Sequence, residues 1–292
     1  MLHEEDLPQP VTPAGILHWL EAQPRRAQAR LWVWEDEGRV VGWGEARLNW
    51  ATSAPGVGDV WVFVAPRARG KGLGSALYEE TERYMRGVDA RVLQTWTYTA
   101  GGRKLIESRG FRATQDERVS VIELAQADLS EFAGLEERKS AEGFRLAPLQ
   151  AIKARAPALH RVYAAASADV PEYFKEDAIR LEEWRRETLE HPQLSGEGSF
   201  VVLSGDDPVA LAFLEVDEPA RIAANELTGT LPEFRRRGLA RLAKLASLRW
   251  AAAQGFERVV TVNSEANPGM LALNDGLGYR AVRTETHYVR DL

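Results

Sequence analysis

Apolar positions at helical spacing occupy residues 12–22, and the pattern then switches to short apolar runs. Residues 31–34 and 40–48 flank Glu35-Asp36-Glu37-Gly38 and predict a hairpin. A strand over 60–64 and a helix with one apolar face over 75–86 follow. Strands at 91–97 and 119–124 flank a helix near Lys104. The same order then returns. A strand at 143–147 precedes helices at 151–166 and 177–189, and 200–203 with 209–216 form a second hairpin around Gly205-Asp206-Asp207-Pro208. A strand at 227–231, a helix at 239–253, a strand at 258–262 and a final strand at 286–290 complete it. This alternation predicts an α+β class, each copy built on one central mixed sheet flanked by helices. The expected domains are 1–125, with a shortened N-terminus, and 142–292. Between them, 126–141 reads as a linker helix opened by the capping-box pattern Asp128-Leu129-Ser130-Glu131.

The duplication is visible residue by residue. Pro66-Arg67-Ala68-Arg69-Gly70-Lys71-Gly72-Leu73-Gly74 matches Pro232-Glu233-Phe234-Arg235-Arg236-Arg237-Gly238-Leu239-Ala240 at an offset of 166. Ser108-Arg109-Gly110-Phe111 matches Gly276-Leu277-Gly278-Tyr279 at 168, which implies a small insertion between the two matches. The period is far too long for a solenoid and marks a duplicated domain.

Composition narrows the function classes. The 292 residues are 45% apolar and 27% charged, with a net charge of −6. No basic surplus exists for a nucleic-acid backbone, so the local arginine clusters read as sites for small anions. The chain has no cysteine, which removes disulfides, thiolate metal sites and a cysteinyl acyl-enzyme. The five histidines (His3, His18, His160, His191 and His287) show no metal-binding spacing, so no metal is expected. No apolar run reaches the roughly 20 residues of a membrane span. Residues 1–6 are acidic where a signal peptide is basic, and a cytoplasmic protein is expected.

The repeated loop has the chemistry of a phosphate site. A strand that turns tightly into a helix leaves backbone N–H groups without helical partners, and the helix dipole favours an anion there. Gly70, Gly72 and Gly74 in one copy, and Gly238 with Ala240 in the other, allow close approach of a ligand. Arg69 and Lys71, or Arg235, Arg236 and Arg237, add charge-assisted contacts to phosphate oxygens. The spacing fits neither the dinucleotide fingerprint nor the P-loop.

These residues resemble the GCN5-related N-acetyltransferase (GNAT) superfamily. The motif V-x-P-x-x-R-G-x-G-x-G spans Val64 to Gly74, and T-x-P-x-x-R-x-x-G-x-A spans Thr230 to Ala240. Each is followed by a helix, a strand and a closing Gly-Phe or Gly-Tyr. Asp169-Val170-Pro171 and the run Thr261-Val262-Asn263 to Tyr279 are similar to tandem two-domain bacterial members. The resemblance implies two tandem acyl-coenzyme A folds and acetyl-CoA as co-substrate, with no metal. It implies that Val64, Leu73 and Ser75, and likewise Thr230, Leu231 and Leu239, frame the pantetheine and pyrophosphate. A strand amide there would polarise the thioester carbonyl.

The implied reaction acetylates a primary amine of a small molecule or peptide. Without cysteine, direct attack in a ternary complex is favoured, aided by proximity and by removal of the ammonium proton. Glu226 is the favoured base, with Asp59, Glu45 and Glu215 as alternatives. The family's phenolic acid position falls on Ile106 and Asn274; isoleucine has no proton to give, whereas Asn274 can hydrogen-bond the sulfur. Asn263, Asn267 and Asn274 stand opposite Thr95, Thr99 and Ile106 when the copies are aligned at 168. Amides suit pantetheine, so chemistry is assigned to the second copy. The missing phenols leave an alternative open, a non-catalytic acyl-CoA sensor or scaffold. Partners are limited to the amine substrate, with a monomer or homodimer expected.

Overall fold

A computed structural model describes residues 10–177 and 179–292; the acidic residues 1–6, with His3, lie outside them. In chain order the main elements are α1 (Pro13–Ala22), β1 (Arg30–Asp36), β2 (Arg39–Leu48), β3 (Val57–Val64), α2 (Leu73–Gly87), β4 (Val92–Thr97), α3 (Ala100–Ser108) and β5 (Arg112–Glu123). There follow α4 (Leu135–Ala141), β6 (Phe144–Pro148), α5 (Leu149–Ile152), α6 (Ala156–Ser167), α7 (Leu181–Trp184), β7 (Phe200–Ser204), β8 (Asp207–Asp217), β9 (Ile222–Thr230), α8 (Leu239–Ala253), β10 (Arg258–Ser264), α9 (Pro268–Leu277) and β11 (Arg280–Asp291).

Contacts gather these elements into two compact units that do not follow contiguous stretches of chain. One unit contains Gln23–Glu117 together with Arg283–Leu292, and the other contains Arg118–Val282 together with α1. Boundaries at 125 and 142 do not describe this, because each unit takes in a segment from the far end of the sequence. In the first unit β11 joins β4, with His287 opposite Trp96 and Val289 opposite Gln94. In the second, His18 of α1 hydrogen-bonds the Arg186 carbonyl and sets its ring edge against His191.

In the first unit the strands run β1-β2-β3-β4-β11-β5, and α2 packs across β2 and β3. Gly42 and Gly44 leave room for Leu77 and Thr81 of α2. The core there gathers Val60, Tyr78, Met85, Leu93 and Phe111. In the second unit the order is β5-β10-β9-β8-β7-β6, with α6 and α8 covering it. β8 is buried from Pro208 to Leu214, as a central strand covered on both faces must be.

Two helical expectations change. The capping box does not open the linker helix: Asp128 accepts hydrogen bonds from Ser130, within a short 3-10 turn. α4 starts later, behind Gly134 in left-handed geometry. The helix expected over 177–189 is a single α turn followed by a π-helical segment, Arg185–Leu189. Such segments are rare and gather at functional sites.

Candidate functional site

The two loops are built alike. A 3-10 turn, Pro66–Ala68 or Pro232–Phe234, leads to a left-handed glycine, Gly72 (φ 82°) or Gly238 (φ 76°), that caps the following helix. Two residues earlier Gly70 (φ 76°) and Arg236 (φ 61°) are also left-handed, so the second loop holds an arginine where glycine is preferred. Nothing lies within 4 Å of the Cβ position at Gly70 or Gly72, and only Lys139 approaches that of Gly238. The first amides to bond a residue of the loop from inside each helix are Ala76, to Gly72, and Leu242, to Gly238. The amides of the first helical turn come before these bonds, and helix-entry amides of this kind suit a pyrophosphate. Gly74, Ser75 and Ala240 sit in the first helical turns. The Leu73 and Leu239 side chains are buried and anchor those turns.

The basic residues divide by role. Arg69 and Arg235 each send Nε back to the last strand carbonyl, Val64 O at 2.9 Å and Thr230 O at 3.3 Å. Arg235 also pairs with Asp169. Both arginines thus brace the loop. Arg237 lies over the Phe144 ring at 4.5 Å, with Glu142 at 3.9 Å, and so packs beside the loop. Lys71 and Arg236 are exposed and remain to meet an anion. Leu231 donates its N–H to the Val209 carbonyl, and its own carbonyl accepts from the Phe234 N–H.

Both units part their central strands at the same place. β3 and β4 pair only through Val57, Gly58 and Asp59, and β9 and β10 only through Ile222, Ala223 and Ala224. Beyond those positions each pair leaves backbone groups able to line an extended ligand. Register also corrects one alignment. Val92 and Arg258 hold equivalent places, so Asn263 corresponds to Thr97, not Thr95. The two-residue insertion falls between strand and helix, because Thr99 and Asn267 are both N-caps, accepting from Gly102 and Met270. The Asn267 carbonyl oxygen therefore serves α9.

Glu226 owes its direction to a bulge. Ala212 pairs with Thr228 and Leu214 with Asn225, so Glu226 and Leu227 together oppose the single Phe213. A β-bulge of this kind re-aims a side chain. Glu226 accepts from the Tyr163 hydroxyl of α6 at 2.9 Å. It is open to solvent, yet so hemmed in by protein that its carboxyl is pushed up to about 8, with the Glu215 charge adding to the effect. Burial raises Glu215 to about 7, and its carboxyl stands 3.5 Å from His191 Nδ1. Burial lowers His191 to about 4, so that imidazole is neutral.

Asn274 takes a different place from the one expected. It is buried, its Oδ1 accepts from Lys244 Nζ at 2.5 Å, and its Nδ2 donates to Asn263 Oδ1 at 2.6 Å. Both ends of this amide therefore have a protein partner, and one Nδ2 proton is left over. Asn263 Oδ1 also accepts from Thr261. Lys244 is wholly buried and is lowered to about 7 by that burial. Its place was visible in the sequence: Lys244, Leu248 and Ala251 form one stripe, with a lysine where an apolar residue belongs. Tyr163 gave no such signal, because a tyrosine on a helical apolar face is ordinary core. Among the described residues no cluster of His, Asp and Glu suits a metal ion, and no helix is long and apolar enough to cross a membrane.

The same architecture occurs in proteins already known. The structure is similar to a tandem GNAT protein from the clavulanic acid biosynthesis pathway, with a TM-score of 0.69 at 19% identity, covering 98% of this chain and 90% of that one. It is similar to a GCN5-related N-acetyltransferase from Sphaerobacter thermophilus, with a TM-score of 0.63 at 18% identity, covering 87% and 78%. In sequence it is 26% identical over 247 residues to a mycothiol acetyltransferase of Nocardioides sp., spanning 78% of this chain and 79% of that protein. The model of the Acetyltransferase (GNAT) family matches residues 2–111 and 159–279. Two matching glycine-capped loops, two parted strand pairs and a family match over more than half its length make this chain a tandem member of the GNAT family and an acyltransferase.

Proposed function

We propose that the second unit transfers an acetyl group from acetyl-CoA to a primary amine of a small molecule or peptide. The observation that carries this reading is the bulge at Glu226-Leu227. It re-aims a carboxylate on the strand that runs directly into the loop from Thr230 to Ala240. Acetyl-CoA supplies an activated thioester carbonyl. The open amides before Leu242, with Arg236, hold its diphosphate, and the parted edges of β9 and β10 take the pantetheine arm.

Glu226 receives the ammonium proton of the acceptor, and the freed amine attacks directly within a ternary complex. Tyr163 fixes the carboxyl by its hydrogen bond. A base raised to about 8 is well matched to an amine near neutral pH. With Asn274 engaged by Lys244 and Asn263, solvent protonates the departing thiolate. Glu215 and the charges of Glu176 and Glu187, which reach Glu226, favour a cationic acceptor.

A second reading belongs to the first unit. Counted back from the loop, Val60 takes the place of Glu226 but is buried, while in strand register Trp61 stands where the second unit has the bulge; Trp61 and Trp96 stack at 5.0 Å across the parted strands. These features support binding or scaffolding without turnover there. The protein is expected to act in the cytoplasm as a monomer or homodimer. The test is release of coenzyme A from acetyl-CoA over a panel of amines. Amine-dependent release lost in Glu226→Gln upholds the reading, and equal release in that variant sinks it.

A further inference from the structure

The two faces of the first unit's sheet differ in kind. Gly42, Gly44 and Gly58 turn toward α2, where added side chains would meet Leu77, Thr81 and Met85. Facing the other way, β2 presents Trp43, Glu45 and Arg47, and β3 presents Phe63, Trp61 and Asp59. Register sets Trp43 opposite Phe63, Glu45 opposite Trp61 and Arg47 opposite Asp59. Trp43 stacks on Phe63 at 4.5 Å, and Trp61 stacks on Trp96 of β4 at 5.0 Å. Trp96 is fixed by a hydrogen bond to Glu117 and by the His287 ring at 4.5 Å.

Glu45 stands between these two aromatic pairs. It is only 8% exposed, and among the described residues its carboxyl has no hydrogen bond or ion pair. Its polar neighbours are already committed. Arg47 donates to Asp59 at 3.0 Å and to Gln23 at 3.2 Å, and Asp59 also accepts from Gln94 at 2.6 Å. Burial drives the Glu45 carboxyl up to about 7 against the opposing charge of Arg47, with the Asp59 charge adding to the rise. A carboxylate removed from water is costly when the neighbouring cation is already paired with another acid, and a further cation placed beside it relieves that cost. The half-buried rings around it offer electron-rich faces, which attract organic cations within about 6 Å.

We propose that Trp43, Phe63, Trp61, Trp96 and Glu45 form a binding site for an organic ammonium ion on the first unit. The alkyl groups of the ion lie against the rings, and its charge faces Glu45. The site goes beyond the transfer reaction, since it needs neither acetyl-CoA nor Glu226.

Calorimetric titration of the full chain with choline, and with its uncharged tert-butyl isostere, tests this. Choline should bind at one saturable site, with the isostere about tenfold weaker or worse. Glu45→Gln should weaken choline about tenfold while leaving the isostere unchanged, which also certifies that the variant is folded. Trp61→Ala should weaken both ligands. Three results overturn the proposal: no saturable choline binding, equal affinity for the charged and uncharged ligands, or choline binding lost in Glu226→Gln instead. The last would put the cation in the second unit while leaving its transfer chemistry intact as a reading.

Discussion

β3 and β9 hold equivalent places in the two units and differ by one residue of backbone. β3 pairs with β2 without interruption from Val64 to Gly58, so Val60 points into the core beside Tyr78 and Met85. β9 gives two residues to one of β8, and Glu226 leaves the regular alternation to accept from the Tyr163 hydroxyl. Both units keep a glycine-capped loop and parted strands. What separates them is an irregularity a few residues upstream, so the loop can be shared by both copies while the proposed chemistry belongs to one.

The strongest blow to this comparison falls on the proposed base. Glu226→Gln should lower kcat about 10³-fold in coenzyme A release. In the wild type, the rate should rise with pH through about 8 as the carboxyl loses its proton, and the variant should lack that limb. A loss of only a few fold would end the assignment.

Val60→Glu asks whether the residue or the bulge matters. Without the bulge a carboxyl at this position is forced under α2, and chemical denaturation should show a loss of roughly 3 kcal/mol without new activity. Retained stability would mean that β3 can bulge as β9 does. Gly72→Val and Gly238→Val probe the loops, since a β-branched residue at positive φ costs on the order of 1–3 kcal/mol. Gly238→Val should raise the KM for acetyl-CoA about tenfold, and Gly72→Val should leave it unchanged. Equal effects would bring the first unit into the reaction. The smallest effect is expected at the caps, where Thr99→Ala and Asn267→Ala should each cost about 1 kcal/mol of melting stability. A larger loss of turnover in Asn267→Ala would return that amide to the pantetheine.

Much of this was legible in the sequence. The loops were, because a tight turn into a helix demands glycine at fixed positions and the demand was met twice. The strands and the two-copy α+β plan followed from apolar periodicity. The bulge was not legible: one extra residue in a strand leaves no compositional mark, so Glu226 and Glu215 looked alike among several strand carboxylates. The partners of Asn274 and Leu231 were hidden for a related reason. Sequence names the donors and acceptors, but only packing reveals that Lys244 and Val209 have already taken them. The insertion was correctly sized at two residues, yet its location beyond the strand, and so the true counterpart of Asn263, needed the register.

The exchange of terminal segments carries a consequence for synthesis. β11 completes the first unit from Arg283 onward, so a ribosome that has finished Glu117 has not yet supplied that unit's last strand. Closure must wait for about 165 further residues to emerge, a long delay with an unpaired strand edge exposed. A stop codon after Val282 would therefore injure the half of the protein that was translated first.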